Sequence, residues 1–187
     1  MPAGAVLCGG RSSRMGRDKA LVEIDGVPMV ARVAAALRGS GCDPVVAIGG
    51  DRAALASLGL DVILDDHPGE GPLGGILTAL TGIEVPADGT VVVVSCDVPW
   101  LTAEAVHAVA AGRGGHDVAV AVGTRREPLC AAWRSPPPPS LAAALAGGER
   151  AVHRAVALLD AVDVPVDPAV LGDVDSPADL PGRAADG

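Results

Sequence analysis

The sequence predicts an α/β protein in which a mostly parallel sheet is layered between helices, α/β/α. Two observations carry this expectation. Short apolar runs rich in Val, Ile and Ala alternate along the chain with longer stretches of helical periodicity, the pattern of a doubly wound sheet. The chain also has no Phe or Tyr and only two Trp, Trp100 and Trp133, so its core must be built from Val, Leu, Ile and Ala, the residues of buried parallel strands and their covering helices. Strands are expected over Ala3–Leu7, Pro44–Ile48, Val62–Leu64, Val91–Cys96, Val118–Val122, Leu129–Trp133 and Ala161–Val166. Helices are expected over Pro28–Arg38, Asp51–Ser57, Leu73–Thr81, Ala103–Ala111, Ser140–Ala146 and Ala151–Leu159. Pro136–Pro139 reads as a surface turn leading into a helix, and Arg183–Gly187 as a frayed tail.

Composition narrows the function. The 187 residues are 49% hydrophobic, enough for one sizeable core and hence one domain over residues 1–187. The net charge of −9 and the near absence of aromatic platforms argue against a nucleic-acid partner. No apolar run approaches a membrane span and no secretory leader precedes the first strand, so a cytoplasmic protein without membrane contact is expected. Cys8, Cys42, Cys96 and Cys130 show no zinc-ligand spacing and read as reduced structural thiols.

In a doubly wound sheet, ligands bind beyond the carboxyl ends of the strands, so the loops after Leu7, Leu64 and Cys96 should meet at one crevice. The first of these, Cys8-Gly9-Gly10-Arg11-Ser12-Ser13-Arg14-Met15-Gly16-Arg17-Asp18-Lys19, is rich in glycine and positive charge. Gly9, Gly10 and Gly16 allow the backbone to approach a ligand closely, and free N–H groups in such a turn favour anionic oxygens. Arg14 can grip a phosphate bidentately, and Lys19, expected to open a helix, brings a compact charge on a flexible stem. The loop fits neither G-x-x-x-x-G-K-[ST] nor G-x-G-x-x-G, which disfavours a P-loop NTPase or an NAD enzyme. Because the acidic chain repels a triphosphate, a metal cation is expected to accompany it.

Asp97 stands where the apolar run Val91–Cys96 emerges at the crevice, a position suited to a Mg²⁺ ligand; helix capping there falls instead to Thr102. Asp65 opens a Gly- and Pro-rich loop, Asp65-Asp66-His67-Pro68-Gly69-Glu70-Gly71-Pro72-Leu73-Gly74-Gly75, of the kind that carries function on a ligand edge. By itself the Asp65-Asp66 pair reads as two solvated acids, and His67 as a surface residue. Asp175 or Ser176 could cap the short helix begun by Pro177.

The segment Leu7-Cys8-Gly9-Gly10-Arg11-Ser12-Ser13-Arg14-Met15-Gly16-Arg17-Asp18-Lys19 closely resembles the L-A-G-G-x-S-x-R-M-G-x-D-K signature of the MobA-like nucleotidyltransferases, departing from it at Cys8. Ser95-Cys96-Asp97-Val98-Pro99-Trp100-Leu101 resembles the family's C-D-x-P-x-L metal segment, and Asp65–Gly75 its D-x-x-P-G-x-G-P-L-x-G. Glu127–Arg134 and Gly148–Val152 are similar to its H-P-L-x-A-x-x-R and G-E-R elements on the pterin side, although Glu149 and Arg150 equally fit an ordinary helix start. Gly172–Leu180 corresponds to N-x-N-T-P-E-D-L, with Asp173 and Asp175 at the Asn positions, a change also seen in cytidylyl-transferring relatives.

The resemblance implies a Rossmann-like nucleotidyltransferase fold and a molybdenum cofactor guanylyltransferase activity. It implies GTP and molybdopterin or molybdenum cofactor as substrates, Mg²⁺ as cofactor, and molybdoenzymes or their chaperones as recipients. Arg14, Lys19 and Asp97 would be catalytic. Leu7, Cys8, Gly9, Gly10, Arg14, Gly16, Lys19, Asp65, Gly71, Pro72, Leu73 and Asp97 would bind nucleotide, and Asp97 with Asp175 would hold metal. A cytidylyltransferase, a sugar-phosphate nucleotidyltransferase and a non-catalytic nucleotide-binding module remain the alternatives.

Overall fold

A computed structural model describes residues 1–9, 18–175 and 179. Its strands are β1 (Ala3–Leu7), β2 (Glu23–Ile24), β3 (Val27–Pro28), β4 (Val45–Ile48), β5 (Asp61–Ile63), β6 (Gly89–Ser95), β7 (Val118–Val122), β8 (Arg126–Ser135) and β9 (Ala161–Pro165). Its α-helices are α1 (Met29–Gly39), α2 (Arg52–Ser57), α3 (Gly71–Gly82), α4 (Ala103–Gly112), α5 (Pro139–Ala146) and α6 (Val152–Val156). Seven strands form one sheet in the order β5-β4-β1-β6-β8-β7-β9, parallel throughout except for β8, which runs antiparallel to both of its neighbours.

The two faces of the sheet follow from the period-2 alternation of its strands. Val92 and Val94 of β6 enter one core layer with Val6 and with Val30, Val33 and Leu37 of α1 and Val106 and Val109 of α4. Val91 and Val93 point the other way, into a layer with Ala5, Ile48, Leu73, Ile76 and Leu80 of α3, Leu141 of α5 and Trp133. Both faces are covered, which is why the central strands are continuous apolar runs. Trp133, the largest fully buried side chain, lies in the α3 layer, and its indole N–H finds no hydrogen-bond partner among the described residues.

The ends of the parallel strands are held level. Beyond the strand limits, Cys8 N–H donates to Ile48 O at 3.0 Å, Gly49 N–H to Ile63 O at 2.9 Å and Cys96 N–H to Leu7 O at 3.2 Å. The loops after β1, β4, β5 and β6 therefore start from one edge.

Four expectations are corrected. Lys19 opens only a one-turn 3-10 helix, Lys19–Leu21, because Val22 returns to extended backbone and leads into β2. The hairpin β2/β3 was absent from the expected elements; its turn is Asp25-Gly26, with φ of +52° and +75°, the Asp-Gly signature of a two-residue connection. The strand expected over Leu129–Trp133 extends across Arg126–Ser135, since pairing with both β6 and β7 satisfies its backbone on two sides. The helix expected over Ala151–Leu159 stops at Val156, where Leu158 and Leu159 N–H bond three residues back, to Ala155 and Val156 carbonyls, and tighten into the turn before β9. Pro136–Pro139 leads into α5 as expected. No helix among the described residues is long and apolar enough to cross a membrane.

Trp133→Ala should lower the unfolding free energy by about 3–5 kcal/mol, read from the urea midpoint at unchanged slope. Trp133→Phe should cost less, because the N–H it deletes is unpaired and a six-membered aromatic ring still fills much of the space.

Candidate active site

The chain leaves β1 through Cys8 and Gly9 and re-enters the described structure at Asp18. Asp18 bonds in two directions: Oδ1 accepts from Ala20 N–H at 3.1 Å, and Oδ2 from Asp51 N–H at 3.3 Å, at the start of α2. It thereby fixes the turn carrying Lys19 against the loop after β4. Asp18 was not among the expected site residues, and only this tertiary pairing reveals its role.

Lys19 Nζ lies 3.0 Å from Asp97 Oδ2 and 2.7 Å from Asp175 Oδ1. Asp97 follows β6 at the carboxyl edge, as its position after an apolar strand predicts, and Thr102 caps α4 by accepting from Ala105 N–H at 3.2 Å. Asp175 arrives from the far end of the chain. Val174 N–H donates to Asp97 O at 2.9 Å, and the Val174 side chain is fully buried with Val22, Ile24, Met29 and Trp100. The β2/β3 hairpin supplies Ile24 to this small apolar cluster, with Val22 just before it and Met29 just after it, and the cluster docks Asp175 beside Asp97. Asp175 N–H in turn donates to Asp179 Oδ2 at 3.0 Å.

Burial alone would lower the pKa of the Lys19 ammonium, but its hydrogen bonds to Asp175 and Asp97 outweigh that and hold it above the ordinary lysine value. Lys19 therefore stays charged at neutral pH. Two carboxylates from separate segments meeting around one positive charge form a donor set suited to a hard divalent cation. No group of three or more His, Cys, Asp or Glu converges among the described residues. The fit is therefore to an ion such as Mg²⁺, which takes one or two protein carboxylates and completes its shell with water and substrate phosphates.

At the same carboxyl edge lies a cleft of about 790 Å³ lined by Gly9, Gly49, Gly50, Asp65, Pro68, Gly69, Gly71 and Pro72. A Cβ on Gly50, at φ +79°, would stand 2.9 Å from both Cys8 Cβ and Leu55 Cδ1, so the β4 loop can lie this close to β1 only with glycine there. Gly49, Gly50, Pro68 and Gly69 were not among the expected site residues. The Gly-Gly pair directly after the apolar run Val45–Ile48 was the signal available for two of them.

Asp65 borders this cleft, and its carboxylate is fixed from below. Asp65 Oδ1 accepts from His67 N–H at 2.9 Å and lies 3.1 Å from Thr78 Oγ1, while Asp66 N–H donates to the same Thr78 oxygen at 3.1 Å. Thr78 is wholly buried in α3 and was not foreseen; its mid-helix hydroxyl, among Leu, Ile and Ala, was the sequence signal. Asp66 is exposed and His67 half-buried. Gly71 and Pro72 form the first turn of α3 at the cleft rim, whereas the side chains of Leu73 and Leu7 are buried in the α3-side core.

Glu149 accepts from Arg150 N–H and Ala151 N–H, both at 2.8 Å, the helix-start arrangement. These bonds, that to Ala151 foremost, hold its carboxyl below the usual glutamate range. Arg150 pairs with Glu70 at 3.0 Å, tying the start of α6 to that of α3. The described cysteines are all free and buried. The Cys8 thiol is pushed well up by its hydrogen bond with Cys96 and by burial, and Cys130 is pushed up to about 12 by burial and the nearby Glu127 charge. These thiols are protonated at neutral pH and unsuited to nucleophilic work. Gly10, Arg14 and Gly16 lie outside the described residues.

A glycine cleft and a carboxylate pair at the carboxyl edge of a mostly parallel sheet define a nucleotide-handling α/β enzyme. The chain belongs to the MobA-like NTP transferase family, whose domain matches residues 4–168, and is thereby a nucleotidyltransferase. It is 37% identical over 151 residues to a molybdenum cofactor guanylyltransferase of Cereibacter sphaeroides, covering 80% of this chain and 77% of that protein. It is 35% identical over 187 residues to that of Rhodobacter capsulatus, covering 98% and 95%. The fold superposes on molybdopterin-guanine dinucleotide biosynthesis protein A from Archaeoglobus fulgidus with a TM-score of 0.77 at 25% identity, covering 95% and 94% of the two chains.

Thr78→Val should cost about 1–3 kcal/mol of stability, since it leaves Asp66 N–H and the Asp65 carboxylate short of a partner inside α3. The same variant should weaken nucleotide binding in equilibrium titration while the circular dichroism spectrum is kept.

Proposed function

We propose that the protein is a molybdenum cofactor guanylyltransferase, which transfers GMP from Mg·GTP to the terminal phosphate of molybdopterin and releases pyrophosphate. The observation that carries this reading is the meeting of Lys19, Asp97 and Asp175 at the same sheet edge as the Gly9–Asp65 cleft, in a chain similar over nearly its whole length to enzymes of that name. Residues 1–187 are read as one such domain, working in the cytoplasm.

The roles follow from charge and position. Backbone at Gly9, Gly49 and Gly50 leaves room for the nucleotide, with Asp65 as a fixed acceptor for donor groups of base or ribose. Leu7, Cys8, Gly10, Arg14, Gly16, Gly71, Pro72 and Leu73 complete the proposed nucleotide-binding set through the loop after β1 and the start of α3. Asp97 and Asp175 would hold Mg²⁺, which when bound supplies positive charge to the phosphates. An ionised oxygen of the acceptor phosphate forms a bond to the α-phosphorus of GTP. The bond from that phosphorus to the α,β-bridging oxygen breaks, and its electron pair leaves with pyrophosphate. Lys19 and Arg14 neutralise the charge that builds on the departing phosphates, so catalysis is alignment and electrostatics with no covalent enzyme intermediate.

Similarity of Gly71-Pro72-Leu73-Gly74-Gly75 to the guanylyl members favours guanine, while Asp173 and Asp175 in place of Asn favour the cytidylyl alternative. Pyrophosphate release is to be measured with GTP and with CTP, with and without molybdenum-loaded molybdopterin. Acceptor-dependent release with GTP supports the reading; preference for CTP makes the enzyme a cytidylyltransferase; no release with either overturns both. Asp97→Asn should lower turnover by at least about 100-fold with the fold retained, checked by the same assay and by circular dichroism.

A further inference from the structure

Lys19 is the single lysine of the chain. It occupies the position between the two carboxylates through which a divalent cation is expected to bind. Its Nζ is 3.0 Å from Asp97 Oδ2 and 2.7 Å from Asp175 Oδ1, and its side chain is only 17% exposed. A Mg²⁺ ion on the same two oxygens would stand about 2.1 Å from each, inside the space this ammonium fills. Two cations on that oxygen pair would stand a few ångströms apart and repel, so the ammonium and a bridging Mg²⁺ compete for it.

We propose that Lys19 is a built-in counter-ion of the metal site, which vacates Asp97 and Asp175 when metal and nucleotide arrive together and transfers its charge to the triphosphate. This rests on the reading of Asp97 and Asp175 as metal ligands. The backbone under Lys19 need not move: Asp18 pins it to Ala20 and Asp51, and the four-carbon stem swings from that fixed base. In the ligand-free protein the ammonium neutralises two acids that would otherwise repel each other. Removal from them is unfavourable unless another anion receives it, and the substrate phosphates are that anion. Metal without nucleotide must displace the ammonium into water and therefore binds weakly. With nucleotide and metal together, the carboxylates keep a cation and the ammonium gains an anion, so each raises the affinity of the other.

A lone lysine makes the exchange directly visible. The full-length protein labelled with ¹³Cε-lysine gives one lysine methylene signal. It is to be followed with Mg²⁺ alone, with a GTP analogue whose α,β-bridging oxygen is replaced by methylene, and with both. The expected result is little change at stoichiometric Mg²⁺ and a new signal position when both are present; a signal unmoved at saturation with both overturns the exchange. In parallel, free Mn²⁺ counted by electron paramagnetic resonance gives metal affinity in the nucleotide-free protein. Lys19→Met should bind Mn²⁺ about tenfold more tightly than the wild type, and Lys19→Arg, which keeps the charge, should show no such gain. Equal or weaker binding by a folded Lys19→Met protein contradicts the proposal, and should that variant fail to fold, the lysine signal of the wild-type protein still decides. Mn²⁺ binding of wild-type strength in a doubly substituted Asp97→Asn, Asp175→Asn protein would remove the metal-site reading itself.

Discussion

The approach of Asp97 to Asp175 brings two negative charges together at one edge of a chain whose net charge is already −9, and the Lys19 ammonium between them is what makes that approach tolerable. The three residues come from the first loop, the end of a central strand and the last described segment. An ion triad spanning the chain in this way links the sheet edge to both of its extremities. In the proposed exchange, the charges that balance one another in the free protein are the ones a metal triphosphate would take over.

The triad depends on apolar packing nearby. Val174 is buried against Val22, Ile24, Met29 and Trp100, and its backbone bonds to Asp97 O. Exposed ion pairs contribute little by themselves, and with Asp175 68% exposed its pairing with Lys19 cannot by itself hold the segment in place. The cluster does that work, and the β2/β3 hairpin contributes Ile24 to it. The Asp25-Gly26 turn, which carries the chain from Ile24 back to Met29, thus bears on the position of a carboxylate at the sheet edge.

Much of this was legible in the sequence. The sheet core was written in Val91–Val94 and Ala3–Leu7, whose unbroken apolar character means burial on both faces, and the helices in the spacing of Val30, Val33 and Leu37. The place of Asp97 at the carboxyl edge was legible because it directly follows an apolar run that reads as a buried strand. The antiparallel direction of β8 was not legible, since a strand buried on both faces reads the same in either direction and only pairing decides it. Thr78, Asp18 and the Gly49-Gly50 pair escaped because their roles are made by partners 13 or more residues away, as in the Thr78–Asp65 and Asp18–Asp51 hydrogen bonds.

The sequence by itself determined the layered α/β class, the glycine-rich first loop and the residue types able to handle a metal triphosphate, because local periodicity and side-chain chemistry are properties of short segments. Tertiary structure alone decided that Lys19 sits between Asp97 and Asp175, and that Asp65 is locked by a buried threonine. Those arrangements are distances between segments far apart in the chain, fixed by the level strand ends of the sheet and by the small cluster around Val174.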